Sequence, residues 1–286
     1  MTAQQVRVAA VQMDVTLAQP QKNLQRMLDF LSQAARGGAK LVVFPECALT
    51  GYCYESLDEA RPYAEPIAGK HTQRLAEHCR ELHVHAVMGM LEQDGDRVFN
   101  AAALVGPQGV VASYRKVHLP YLGVDMFTTP GDRPFAVHAA GDVNIGMNIC
   151  YDAAFPEASR LLSLAGADLI VLPTNWPPGA ECTCQVVAST RALENNVYFL
   201  ACNRVGEERG FRFIGGSKIC DPTGTVIALA STDREEILYA DIDPAWARRK
   251  RVIRVPGKHE IDRFADRRPE LYGPIVAPVK ESLRRR

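Results

Sequence analysis

Short apolar runs rich in β-branched residues recur along this chain, each too short for a helix and each cut off by Pro, Gly or a polar cluster. Residues 39–44 (AKLVVF), stopped by Pro45, read as a fully buried strand. Runs at 6–12, 85–91, 143–149, 169–172, 197–203, 217–220, 225–229 and 237–242 read the same way, and 101–105 with 110–115 read as a hairpin about the turn 106–109. Helical spacing appears between them. Leu24, Met27, Leu28, Leu31 and Ala35 mark a helix over 21–36, ended by Gly37 and Gly38, and further helices are expected at 70–82, after Phe155-Pro156-Glu157, and at 185–195. Strands alternate with helices in both halves, which favours a layered α/β fold over an all-β fold or a bundle.

Composition narrows the function classes. The 286 residues are 47% hydrophobic and 23% charged, ordinary for a globular protein, and no linker or repeat divides them. No window approaches an uninterrupted apolar membrane span, and residues 1–7 (MTAQQVR) lack the apolar centre of a secretory signal, so a cytoplasmic protein with no membrane partner is expected. The 8 cysteines follow no regular spacing, which points to free thiols. Acidic and basic residues balance at 33 each, giving no support for nucleic acid as a partner. The balance is uneven along the chain: residues 244–286 carry 13 Lys or Arg against 5 Asp or Glu, a tail suited to docking on an acidic surface. Cys182 with Cys184, and His78, Cys79, His83 and His85, lack the paired spacing of a zinc site. Gly215-Gly216-Ser217-Lys218 lacks the spacing of a phosphate loop. Neither metal nor cofactor is expected.

Three of the apolar runs end next to a reactive group: Glu46 after 39–44, Lys116 after 110–115 and Cys150 after 143–149. Taken singly, each has an ordinary reading, as a solvated acid, a surface charge and a small buried hydrophobe. Jointly, a thiol, a carboxylate and a fixed ammonium make up the equipment of covalent acyl transfer. Cys150 falls at a tight strand-to-helix turn, which would aim the N–H groups of Tyr151 and Asp152 at an oxyanion.

In this order, and together with Val8 to Gln12, Gly51-Tyr52, Tyr114 to Pro120, Cys150 to Glu157 (CYDAAFPE), Pro173-Thr174-Asn175-Trp176, Arg191 to Asn195, Asp221 to Gly224 and Arg268 to Gly273, these residues resemble the nitrilase superfamily of carbon–nitrogen hydrolases. The resemblance covers nearly the whole chain. It implies a four-layer α-β-β-α sandwich, a Glu46-Lys116-Cys150 triad without cofactor, and a homodimer. It also implies one hydrolase domain over 1–243, with a C-terminal helix and basic tail at 244–286 belonging to it and packing on the dimer partner. Family members commonly carry a second Glu between the Lys and the Cys. This chain has none between Glu92 and Glu157, and Asp125 stands at the corresponding place, either as an assisting acid, acting through a water, or as an ordinary loop residue. Ala153 and Ala154, where many relatives have an Arg or a bulky residue, favour a neutral or roomier substrate. Tyr52, Tyr121, Asn175 and Trp176 are candidates for lining the substrate pocket. The expected activity is an amidase acting on a small or medium linear amide. A nitrilase and an N-carbamoyl amide hydrolase are the alternatives in this class, and a non-catalytic binding protein on the same fold is the alternative outside it.

Overall fold

The computed structural model describes residues 5–279, which fall into two compact units meeting at residues 248 and 249. In the first unit, one six-stranded sheet has the order β14 (Glu236–Ile242), β1 (Val6–Gln12), β2 (Leu41–Val43), β3 (His85–Asp94), β4 (Arg97–Gly106), β5 (Gly109–Arg115). The other has the order β13 (Val226–Leu229), β12 (Lys218–Cys220), β9 (Tyr198–Cys202), β8 (Leu169–Pro173), β7 (Val143–Met147), β6 (Val137–Ala140). Each sheet has a parallel centre, β1-β2-β3 and β7-β8-β9, flanked by antiparallel strands. The parallel strands send their C-terminal ends to one edge of each sheet, the usual place for a site in such folds.

Three apolar clusters make four layers. Val8, Leu41, Val87 and Leu104 from the first sheet meet Ile145, Leu169, Leu200 and Ile219 from the second. On the outer face of the first sheet, Val42, Met88 and Ala103 pack on helices α1 (Pro20–Arg36) and α3 (Lys70–Leu82). On the outer face of the second, Ile170, Leu172 and Phe199 pack on α4 (Pro156–Leu164) and α5 (Glu181–Asn195). Because both faces of each sheet are covered, the central strands carry no polar alternation, which is why they read as continuous apolar runs. Each such buried Leu, Ile or Val side chain contributes about 1.5–3 kcal/mol. Proline opens α1 and α4, where its missing N–H is not needed, and Asn196 ends α5 in the left-handed conformation.

The helix expected from residue 185 begins at Glu181. Its first turn is exposed except for Cys184, so no apolar spacing announced it. Strand β6, the one-turn helix α2 (Leu57–Ala60) and the two-residue strands β10 (Glu207–Glu208) and β11 (Phe211–Arg212) were likewise not expected, being too short to show a period. Helix α6 (Pro244–Arg248) closes the first unit. The second unit holds the hairpin β15 (Arg251–Val255) and β16 (His259–Asp262), with Lys250 Nζ 4.9 Å above the Phe264 ring. The end of the basic tail expected to dock on a partner, residues 280–286, lies outside the described residues, as do residues 1–4 of the segment read for a secretory signal. Among the described residues, no helix is long and apolar enough to cross a membrane.

Candidate active site

Glu46 follows β2 through Phe44 and Pro45 and is fully buried. The turn passes so close to β3 that a Cβ on Gly89 would lie 2.3 Å from the Pro45 carbonyl oxygen and 2.8 Å from Glu46 Cα, so only glycine fits there. Lys116 follows β5, its N–H donating to the Asn100 carbonyl of β4 at 2.8 Å. The Lys116 side chain is fully buried, and its Nζ lies 2.6 Å from Glu46 Oε1 and 2.6 Å from Asp125 Oδ2. Asn100 Nδ2 donates to the same pair of acids, at 2.7 Å to Glu46 Oε1 and 2.8 Å to Asp125 Oδ1. The Cys47 thiol, donating to Asn100 Oδ1 at 3.6 Å, fixes which way that amide points. Within this cluster, Glu46 Oε2 is left without a partner among the described residues.

Two carboxylates around one ammonium, away from water, set the electrostatics. Burial pushes the Glu46 carboxyl up, Lys116 opposes this and Asp125 adds to it, so the acid sits above the ordinary range. For Lys116, burial pulls down, but Asp125 and Glu46 outweigh it and hold the ammonium well above its usual value. The two acids thus favour the charged ammonium of Lys116, while burial favours the protonated form of Glu46.

Cys150 stands at the turn from β7 into α4 with φ at 44°, a left-handed conformation rare outside glycine. The turn is held by Asp152, whose Oδ2 accepts the Ile149 N–H at 3.0 Å while its own N–H donates to the Ile149 carbonyl at 3.0 Å. This corrects the expectation that the Asp152 N–H faces an oxyanion: it is engaged within the turn. The same buried carboxylate accepts the Tyr114 hydroxyl at 2.8 Å, the His118 N–H at 3.0 Å and His118 Nδ1 at 2.7 Å. One aspartate thus ties the cysteine turn to the strand and loop on either side of Lys116. Thr174 and the backbone N–H of Asn175, just beyond β8, face the thiol and favour its charged form. Burial and then the Glu46 charge push it up to about 12, against the opposing pull of Lys116, Thr174 and the Asn175 N–H. A thiol pushed up in this way would need a base in order to act as a nucleophile.

The other candidates separate. Asp125 is buried and touches Lys116 directly, where its shorter side chain had suggested a water bridge or no role. Asn175 is 1% exposed, and neither its Oδ1 nor its Nδ2 finds a partner among the described residues. Trp176 is packed in the core between the second sheet and α5. Tyr52 is buried with its hydroxyl 2.8 Å from Asp125 Oδ2, within the acid cluster. Tyr121 is 78% exposed and takes no part in it. Sequence reading missed Asn100 and considered Asp152 only for its N–H, not for its carboxylate. The signal for Asn100 was available, since a lone amide inside the apolar run Val98 to Val105 must find buried partners.

Residues 7–251 match the family model for carbon-nitrogen hydrolases. The chain is 41% identical over 269 residues to a nitrilase of Pyrococcus abyssi, covering 93% of this chain and 99% of that one. It is 35% identical over 257 residues to an (R)-stereoselective amidase of a Pseudomonas species, covering 88% and 87%. Among solved structures it is similar to a glutamate-to-glutamine mutant of the amidase from Nesterenkonia sp. AN1, at a TM-score of 0.78 and 25% identity over 95% of this chain and 97% of that one. That structure shows covalent addition of the acetamide moiety of fluoroacetamide at its active-site cysteine. A match over most of the chain by family model and curated relatives alike makes this protein a member of the carbon–nitrogen hydrolase family, within the nitrilase superfamily.

Proposed function

We propose that this protein is an amidase that hydrolyses small or medium linear amides, releasing ammonia or an amine through a thioester on Cys150. The observation that carries the reading is the ammonium of Lys116 bridging Glu46 and Asp125 at 2.6 Å each, with its charge and that of Glu46 both acting on the Cys150 thiol. Glu46 takes the thiol proton through the free Oε2 as sulfur attacks the amide carbon. The oxyanion is held by Lys116 and the Tyr151 N–H, now the backbone donor left to that turn. Glu46 then protonates the leaving nitrogen as the C–N bond breaks. In the second half it takes a proton from water, whose oxygen attacks the thioester, and returns that proton to sulfur as the acid departs. Asp125 accepts from Lys116, Asn100 and Tyr52 and acts as a fixed charge in this scheme. The unpartnered amide of Asn175, with an NH2 group to donate and a carbonyl oxygen to accept, is complementary to a substrate carboxamide, since burying it unpaired costs about 1–3 kcal/mol per group.

The kinship with a chain named nitrilase favours a second reading, nitrile hydrolysis through a thioimidate on the same sulfur. N-carbamoyl amines are the third class to try. A homodimer belongs to the same reading, supported by the apolar side chains Leu161, Leu164, Val186 and Leu193 left exposed on α4 and α5. The test is ammonia release from amides, nitriles and N-carbamoyl amines, with intact mass of the wild type and of Cys150→Ala. Ammonia from amides and an acyl adduct lost in Cys150→Ala are expected; turnover of nitriles alone would replace the amidase reading.

A further inference from the structure

Tyr52 performs no step in that scheme, yet the turn that carries Asp125 is built on it. The Tyr52 carbonyl accepts the Val124 N–H at 2.8 Å. Its hydroxyl lies 2.8 Å from Asp125 Oδ2 and 3.0 Å from the Leu122 carbonyl, donating its one proton between them. Gly123, at φ 51°, presses on the ring so closely that a Cβ there would sit 2.4 Å from Tyr52 Cε1. On its other side, the N–H groups of Tyr52 and Cys53 each donate to Glu208 Oε2 at 2.9 Å, and Glu208 is paired with the fully buried Arg204. The tyrosine is therefore fixed by the scaffold independently of the acid that it meets.

We propose that Tyr52 is a positioning residue, which brings the short side chain of Asp125 to Lys116 and thereby sets where the remaining proton of the ammonium points. The inference rests on the role given to Lys116 above. An ammonium has three N–H bonds, and here two are directed to Glu46 Oε1 and Asp125 Oδ2, which leaves one for the substrate oxygen. The direction of the third is fixed only if both acids are fixed. Asp125 has a single side-chain methylene, so its backbone must come close, and the turn folded against Tyr52 brings it there. Without the hydroxyl, Asp125 Oδ2 keeps Lys116 as its donor and draws the ammonium away from Glu46 and from Cys150.

The test uses Tyr52→Phe, Asp125→Glu and the double variant, each checked for wild-type thermal unfolding. Two readouts are taken: kcat and KM for butyramide, and the pH dependence of Cys150 alkylation by iodoacetamide, followed by peptide mass, which needs no turnover. Tyr52→Phe should lower kcat by about tenfold to a hundredfold with KM changed by less than about twofold, as expected for misplacement. It should also move the alkylation midpoint to higher pH, because the ammonium acts less on the thiol. Asp125→Glu alone should be impaired by crowding against the hydroxyl. The double variant should recover to within about threefold of wild type, the longer acid filling the vacated space. A Tyr52→Phe enzyme with wild-type kcat and alkylation profile, or two losses that simply add in the double variant, overturns the proposal. If the wild type releases no ammonia from any amide while the alkylation midpoint still moves, the amidase reading fails and the positioning role stands.

Discussion

Arg115 and Lys116 are neighbours in the chain, both buried and both clamped by acids, and they do opposite things. Arg115 donates to both oxygens of Glu92 at 2.7 and 2.9 Å, to Asp94 at 2.9 Å and to Asp132 at 3.0 Å, with its guanidinium 3.9 Å above the Phe99 ring. Every nitrogen of its planar fork has an acceptor, and Asp94 and Asp132 reach water at 48% and 41% exposure. Lys116 is held by two acids with no solvent exposure, beside a carboxylate oxygen that has no partner. Complete satisfaction marks a structural ion pair. Incomplete satisfaction, kept out of water, is what the role proposed for Lys116 and Glu46 requires.

The comparison breaks most visibly at Lys116. Lys116→Met should reduce kcat/KM for amide hydrolysis by about 10³-fold, the upper range for loss of an oxyanion donor, measured by ammonia release. Arg115→Met should act on folding, removing about 3–5 kcal/mol in urea titrations because Glu92 is left buried with only the more distant Arg133, at 3.6 Å, while kcat of the folded fraction stays close to wild type. A large loss of kcat at constant stability in Arg115→Met would erase the distinction between the two clamps.

A smaller effect sharpens it through pH. The Glu46 carboxyl is raised by burial, so the stability that it contributes is present below the unfolded carboxyl value, about 4.3, and is lost as pH rises through the folded value. Glu46→Gln carries no such loss and leaves Lys116 and Asp125 as a balanced pair. Its melting temperature should exceed that of the wild type at pH 8 and converge with it toward pH 4, at the expense of activity. Equal melting temperatures at both pH values would mean that Glu46 is not held above its ordinary range.

The sequence showed Glu46, Lys116 and Cys150 because each follows an apolar strand, and strand ends are legible from hydrophobic runs. The layered α/β class was legible for the same reason, while the count of four layers came from the family resemblance. What lay hidden depends on side chains that meet across the chain: Asn100 between two acids 54 and 25 residues away, and Asp152 reaching back 38 residues to Tyr114. Tyr52 read as a ring for the pocket wall because periodicity is silent on where a hydroxyl points. The position of Asp125 is set by a 3-10 turn stabilised on that tyrosine, and loop shape has no periodic signature.

The left-handed backbone at Cys150 has a consequence beyond geometry. A residue with a Cβ in that conformation costs about 1–2 kcal/mol relative to glycine, and the turn around Asp152 absorbs this in every folded molecule, with or without substrate. Stability and chemistry therefore pull position 150 in different directions. Under selection for folding alone, glycine would be favoured at position 150, so the strain is a cost that the proposed use of the thiol would have to offset.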